Sequence, residues 1–280
     1  LIENLRKKNS EEVLRLGLFD SSGKIHGGVS LYASEWDIQH FGIKIGKADF
    51  LLFDESVELY DRLKFLMELN KQLSNSKLQV IFLRHTLSDY KTIIALSKAG
   101  WTLADVLLTF HRSLENLPSL SSRGDLLRIR EACIDDSNTI GNLARISFRI
   151  SHFHTDPDLP HALSDELYAK WSISSLNDPS SKVFIAEESN ATCGFITCSI
   201  KSLIDKVRYG VIDLIAVDQN KQRRGIGKFL LTKALEWFSL QVSSVYVGTQ
   251  ATNTPAVRLY ESMGFKLVDS EITFHFWISR

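Results

Sequence analysis

Residues 209–238, YGVIDLIAVDQNKQRRGIGKFLLTKALEWF, change their periodicity part-way, and that change restricts what the chain can fold into more than any other stretch. The run opens with β-branched Val211, Ile212, Ile215 and Val217, crosses a polar turn, and from Gly225 onward sets its apolar residues at helical spacing. Such a switch predicts strand, turn and helix. Ile226, Phe229, Leu230, Ala234, Trp237 and Phe238 share one helical face, with Lys228, Thr232, Lys233 and Glu236 on the other. The predicted helix therefore lies on a sheet with its N-terminus open.

The turn itself, Gln222-Arg223-Arg224-Gly225-Ile226-Gly227, has the pattern Gln-x-x-Gly-x-Gly. Glycines let backbone approach a ligand closely, and first-turn amides have no intrahelical acceptor, so such an end suits a phosphate. Arg223, Arg224 and Lys228 add positive charge beside the helix dipole. A plain glycine turn with solvated cations has the same composition. The turn alone does not separate the two.

The sequence downstream does. After Val245-Tyr246-Val247 comes TQATNTPAVRLYESMGF, residues 249–265. Its Asn253-x-x-Ala256-x-x-Leu259-Tyr260-x-x-x-Gly264-Phe265 pattern, following the Gln-x-x-Gly-x-Gly turn, resembles the GCN5-related N-acetyltransferase (GNAT) superfamily over residues 126–277. The resemblance implies acyl transfer from acetyl-CoA to an amine. It implies an α+β fold: a mixed, mainly antiparallel central sheet flanked by helices. It also implies a central strand that splays from its neighbour, so that backbone groups of Leu214, Ile215, Ala216 and Val217 can pair with the coenzyme arm and donate to an oxyanion. Gln222, Arg223, Arg224, Gly225, Ile226, Gly227 and Lys228 would hold the coenzyme phosphates, and Asn253 and Ala256 its arm. Tyr260 matches the superfamily's general acid, and a phenol with an ordinary pKa near 10 carries its proton at neutral pH. Asn253 suits a helix cap equally well.

Composition narrows the classes. Lys plus Arg and Asp plus Glu both number 33, so no global field would hold a nucleic acid. No apolar run has the length of a membrane span, and the charged start, LIENLRKK, does not read as an export signal. Cys133, Cys193 and Cys198 lack metal-ligand spacing and are expected to be buried thiols in a reducing, cytoplasmic setting. No metal site is expected.

At 280 residues two domains are expected. The Pro- and Ser-rich break at residues 118–125 is taken as a linker between an N-terminal α/β domain, 1–117, and the acetyltransferase domain, 126–280. In the first half, residues 1–18 show helical spacing, residues 31–47 read as extended pieces around a turn, residues 56–73 as a helix and residues 78–83 as a buried strand. Laying Gly100 on Gly264 sets Ile81-Phe82-Leu83 on Val245-Tyr246-Val247 and Thr109-Phe110-His111 on Thr273-Phe274-His275. The first domain thus reads as a shortened, degenerate GNAT-like copy. Asp89 stands where Asn253 does, Leu96 where Tyr260 does, and no Gly-x-Gly turn precedes them, so a non-catalytic role that shapes the acceptor cleft is expected.

The acceptor is less constrained. Glu35-Trp36-Asp37-x-x-x-Phe41-Gly42-x-x-x-Gly46, together with Ser151-His152-Phe153 and the run SDELYAKW at 164–171, resembles the TDP-fucosamine (dTDP-4-amino-4,6-dideoxygalactose) acetyltransferases. That implies a small-molecule amine, a nucleotide-linked amino sugar, with Trp36 near it and residues 147–160 as a lid. Trp36 suits a plain core position as well. A protein N-terminus, a lysine, another small amine, or a silent acyl-CoA-binding sensor remain alternatives, as does a homodimer. For the base, Asp213 on the central strand, His154 on the lid and a relaying water all stay open; His152 and His154 would face opposite ways if extended.

Overall fold

A computed structural model of the chain describes residues 12–115, 127–203 and 206–278. The expected linker at 118–125, and the start of the expected first helix, lie outside the described residues. The chain groups into two compact units, residues 1–107 with 270–280 and residues 108–269, so the final strand joins the first unit instead of closing the second.

The first unit contains β1 (Glu12–Phe19), β2 (Ile25–Ala33), α1 (Glu35–Phe41), β3 (Ile45–Phe53), α2 (Leu59–Ser74), β4 (Val80–Thr86), α3 (Tyr90–Lys98) and the start of β5 (Thr102–Ser113). β1, β2 and β3 are antiparallel neighbours, β3 and β4 run parallel over Ile45–Lys47, and the last strand, β11 (Lys266–Trp277), lies antiparallel to β4 from Glu271 to Trp277. Two expectations fail. Residues 12–19 form a strand, not a helix, because Leu14, Leu16 and Leu18 alternate onto the core formed with Phe65, Leu66 and Leu69 of α2. Residues 35–41, expected to be extended ahead of a glycine turn, form α1, closed by Gly42 at φ 67°.

The second unit contains the end of β5, then β6 (Leu127–Glu131), α4 (Ser137–Ser147), α5 (His152–Thr155), α6 (His161–Asn177), β7 (Ser181–Glu188), β8 (Ala191–Ser202), β9 (Arg208–Val217), α7 (Ile226–Ser239), β10 (Ser244–Gln250), α8 (Thr254–Ser262) and the start of β11. Its sheet runs β5-β10-β9-β8-β7-β6, with β9 and β10 parallel and β6 to β9 antiparallel. α7 buries Ile226, Leu230, Leu231, Ala234, Leu235 and Phe238 on it. Gly210 makes room for the last of these: a Cβ there would come within 2.5 Å of the Phe238 ring.

The internal echo is visible within each unit. Three parallel rungs join β3 to β4 and three join β9 to β10. Leu96 accepts from Trp101 N–H and Tyr260 from Phe265 N–H, both at 3.0 Å, with Gly100 and Gly264 left-handed between them at φ 89° and 79°. Cys193 and Cys198 are buried thiols on β8, whereas Cys133 is exposed, against expectation, because it lies in the turn after β6. No helix among the described residues is long and apolar enough to cross a membrane.

Candidate active site

The site is built where β9 parts from β10 while staying paired to β8. On the β10 side the ladder covers Gly210, Val211 and Ile212 and stops there, although β9 runs on to Val217 and β10 to Gln250. On the β8 side Thr197 stands opposite Leu214 and Cys198 opposite Ile212, which leaves Asp213 as the extra residue of a bulge. Leu214 N–H is taken by Thr197 Oγ1 at 3.0 Å, so among the four strand residues named as cofactor-binding its donor is already in use. Backbone groups alternate sides along a strand, so with Leu214 turned to β8, Ile215 and Val217 turn their edges to the opened gap and Ala216 turns back. Val217 C=O there accepts from Gln222 Nε2 at 3.2 Å.

The helix mouth follows. Arg223 and Gly225 adopt left-handed φ of 60° and 84°, which folds the turn sharply before α7, and no side chain caps the helix. The first intrahelical donor into the turn is Phe229, to Gly225 C=O at 3.1 Å, which leaves the N–H groups of Ile226, Gly227 and Lys228 upstream of the ladder. A Cβ on Gly227 would lie 3.4 Å from Leu259 of α8 and 3.8 Å from Val217 of β9. Those are ordinary contacts. Packing does not demand glycine at 227, but these contacts bring the start of α7, the end of β9 and the helix carrying Tyr260 together at one point.

Tyr260 is 2% exposed, with its ring against Phe110 and Phe265, each 5.9 Å away between centroids. Among the described residues its hydroxyl has no hydrogen-bond partner, and burial raises its pKa well above that of an ordinary phenol. The group holds its proton. Asn253 caps α8: Oδ1 accepts from Ala256 N–H at 3.3 Å and Nδ2 donates to Thr249 Oγ1 at 3.1 Å. Asp213 is half-buried in the bulge, and burial pushes its carboxyl above the ordinary range.

Two candidates look different in three dimensions. His154 lies on α5, so the extended geometry assumed for 152–154 does not hold. Its Nδ1 meets Ser151 Oγ at 2.9 Å and its Nε2 meets Asp165 Oδ1 at 3.1 Å. An ionised carboxylate only accepts, so Nε2 donates; burial lowers the ring's pKa, against the pull of Asp165, which favours the neutral form, and in that form Nδ1 accepts from Ser151. Trp36 belongs to the first unit, half exposed and stacked on His40 at 5.5 Å, and is not among the residues gathered in the second. Thr197 and Glu188, which holds Arg224 and Lys221, were missed: both act across strand pairs that no linear spacing reveals.

Residues 142–265 match the model of the acetyltransferase (GNAT) family, a span that holds the bulge, the helix mouth and Tyr260. Over those residues the chain is similar to the GNAT family. It is 29% identical over 143 residues to the spore coat polysaccharide biosynthesis protein SpsD of Bacillus subtilis, covering 51% of this chain and 48% of that protein. It is 26% identical over 157 residues to the N-alpha-acetyltransferase of Sulfurisphaera tokodaii, covering 53% and 85%. The chain thus spans about half the length of the first of these relatives. Among solved structures, a tandem GNAT protein from the clavulanic acid biosynthesis pathway aligns with TM-score 0.59 at 13% identity, over 93% of this chain and 82% of that one, a likeness of fold.

The GNAT family takes its acyl group from acetyl-CoA. The residues present fit that donor. An uncapped helix start with a glycine that packing does not need suits phosphates, the unladdered edge of β9 suits the amides of an extended arm, and a protonated phenol without a partner suits a thiol.

Proposed function

We propose that this protein is a GNAT-family, acetyl-CoA-dependent N-acetyltransferase whose acceptor is the amine of a nucleotide-linked sugar. The observation that carries the reaction class is the meeting of Gly227, Val217 and Leu259 beside the opened edge of β9, with the buried phenol of Tyr260 on the same helix as Leu259. Acetyl-CoA supplies an acetyl group already activated as a thioester. The chain's own residues do the rest. The amides of Ile226, Gly227 and Lys228 bind phosphate, and Arg223 and Lys228 add charge at the same end. The edges of Ile215 and Val217 align the arm and offer a donor where negative charge develops. Tyr260 keeps its proton at Oη, ready for a departing thiolate. Asp213, its affinity for a proton raised by burial, is the group of this strand suited to take one from the incoming amine.

The sugar acceptor rests on the sequence resemblance to TDP-fucosamine acetyltransferases and on the likeness to a protein named for spore coat polysaccharide biosynthesis. A second reading, acetylation of a protein N-terminus, is supported by the likeness to an N-alpha-acetyltransferase. Thiol release from acetyl-CoA, followed with nucleotide-linked amino sugars, free hexosamines and short peptides, separates them. The proposal expects turnover with the nucleotide-linked amines above all others. Turnover with peptides alone would replace the acceptor, and binding of acetyl-CoA without turnover on any amine would replace the enzyme with a sensor.

A further inference from the structure

Glu188 ends β7 and opens a two-residue turn to Ala191, in which Ser189 and Asn190 both adopt left-handed φ, 53° and 62°. That is the turn geometry that matches the twist of a hairpin, so the tip is stiff. Cys193, the bulged residue of β8, gives its C=O to Asp218 N–H at 2.9 Å, tying the hairpin to the residue after β9. From this fixed place the Glu188 carboxylate reaches the cations of the helix mouth. Oε1 lies 2.5 Å from Arg224 Nη2, and Oε2 lies 3.1 Å from Arg224 Nη1 and 3.2 Å from Lys221 Nζ. The guanidinium is engaged fork to fork, the geometry it would use on a phosphate. Lys221, ahead of Arg224, keeps the carboxyl below its ordinary range, so it is charged at neutral pH.

Resting on the reading of this turn as the coenzyme's phosphate site, we infer that Glu188 competes with the coenzyme phosphates for Arg224 and Lys221 and thereby sets the affinity for coenzyme A. A carboxylate and a phosphate cannot share one fork, and the unpaired carboxylate repels the newcomer. A coenzyme phosphate that takes the Nη1/Nη2 fork therefore displaces Glu188, and the free protein does not leave two cations bare at the helix end.

The test is titration calorimetry with coenzyme A on the full chain, at low and high salt, for the wild type, Glu188→Gln, Lys221→Gln with Arg224→Gln, and all three substitutions together. The inference expects Glu188→Gln to bind about fivefold tighter at low salt, with the gain shrinking as salt screens the exposed charges. It expects the gain to vanish in the chain already lacking both cations. Unchanged or weaker binding by Glu188→Gln would overturn it, since a carboxylate that only positions Arg224 predicts weakening. An equal gain without the two cations would overturn it as well, in favour of a diffuse charge effect. A wild type that binds no coenzyme A would instead remove the phosphate-site reading itself.

Discussion

Asp89 and Asn253 hold the same place in two copies of one unit: each caps a nine-residue helix by accepting the N–H three residues on, from Thr92 and from Ala256. Their side-chain partners differ. Asp89 lies 2.6 Å from the guanidinium of Arg62, which is buried, donates to Val57 C=O and lies over the Phe53 ring; Asp89 also meets His85 at 3.1 Å. Asn253 meets neutral Thr249. The first copy has filled the neighbourhood of its cap with a charge network, and the second has not.

The two caps should therefore tolerate the amide–carboxylate exchange unequally. Asn253→Asp keeps the cap and places a negative charge at a helix N-terminus, so urea unfolding should change by less than about 0.5 kcal/mol. Asp89→Asn keeps the cap but leaves Arg62 buried without a counter-charge, which should cost about 2–3 kcal/mol, less than for a wholly enclosed pair because Asp89 retains some exposure. Equal costs would show that Arg62 is indifferent to Asp89.

Fold and function should separate at the two turn glycines. Gly225→Ala forces a left-handed φ of 84° on a side chain and should cost about 1–2 kcal/mol of stability. Gly227→Ala meets only ordinary contacts and gains helix propensity, so its thermal midpoint should hold or rise. Its affinity for coenzyme A should nonetheless fall about tenfold, or ~1.4 kcal/mol, as the methyl takes space needed by the ligand. Calorimetry and melting curves on both variants check this; unaltered binding by Gly227→Ala would contradict it.

His154 should matter for stability against acid more than for proton transfer. Its folded pKa lies below the unfolded value of about 6.5, so its contribution is present above that pH and is lost as pH falls through the folded value. Urea midpoints at pH 7.5 and 5.5 should differ, and the difference should shrink in His154→Gln. Since both ring nitrogens are engaged, turnover should fall less than the roughly hundredfold expected on removing a general base.

Asp213 carries the opposite sign. Burial raises its folded pKa, so the stability it contributes is full below about 3.9 and is lost as pH rises through the folded value. Asp213→Asn should therefore raise the melting temperature at pH 7 and leave it unchanged at pH 3, while lowering turnover. Restored stability without lost turnover would leave the carboxylate with no part in the reaction.

Much of this was legible in the residues themselves. The strand-to-helix switch at Gly225, the cap at Asn253 and the hairpin of residues 183–200 follow from local periodicity and turn chemistry, and each forms as expected. What was not legible depends on partners distant in sequence. β1 is a strand because β2 pairs with it, and Leu14, Leu16 and Leu18 fit a two-residue period only once that face is known. α1 does carry end signals in the sequence, Ser34 three residues ahead of Asp37 and Gly42 at its end, although Ser34 Oγ donates to the Asp37 carboxylate and caps no backbone N–H. The bulge at Asp213, the capture of Leu214 by Thr197, the grip of Glu188 on Arg224 and the use of both His154 nitrogens arise from pairings across strands and helices.

The central claim is that a protonated Tyr260 serves the departing thiol of a coenzyme held at the α7 mouth. Steady-state thiol release by Tyr260→Phe, with coenzyme A affinity measured on the same protein, tests it most directly. The account predicts a kcat lower by about a hundredfold with Kd for coenzyme A within about twofold of the wild type. A kcat equal to the wild type's would contradict it.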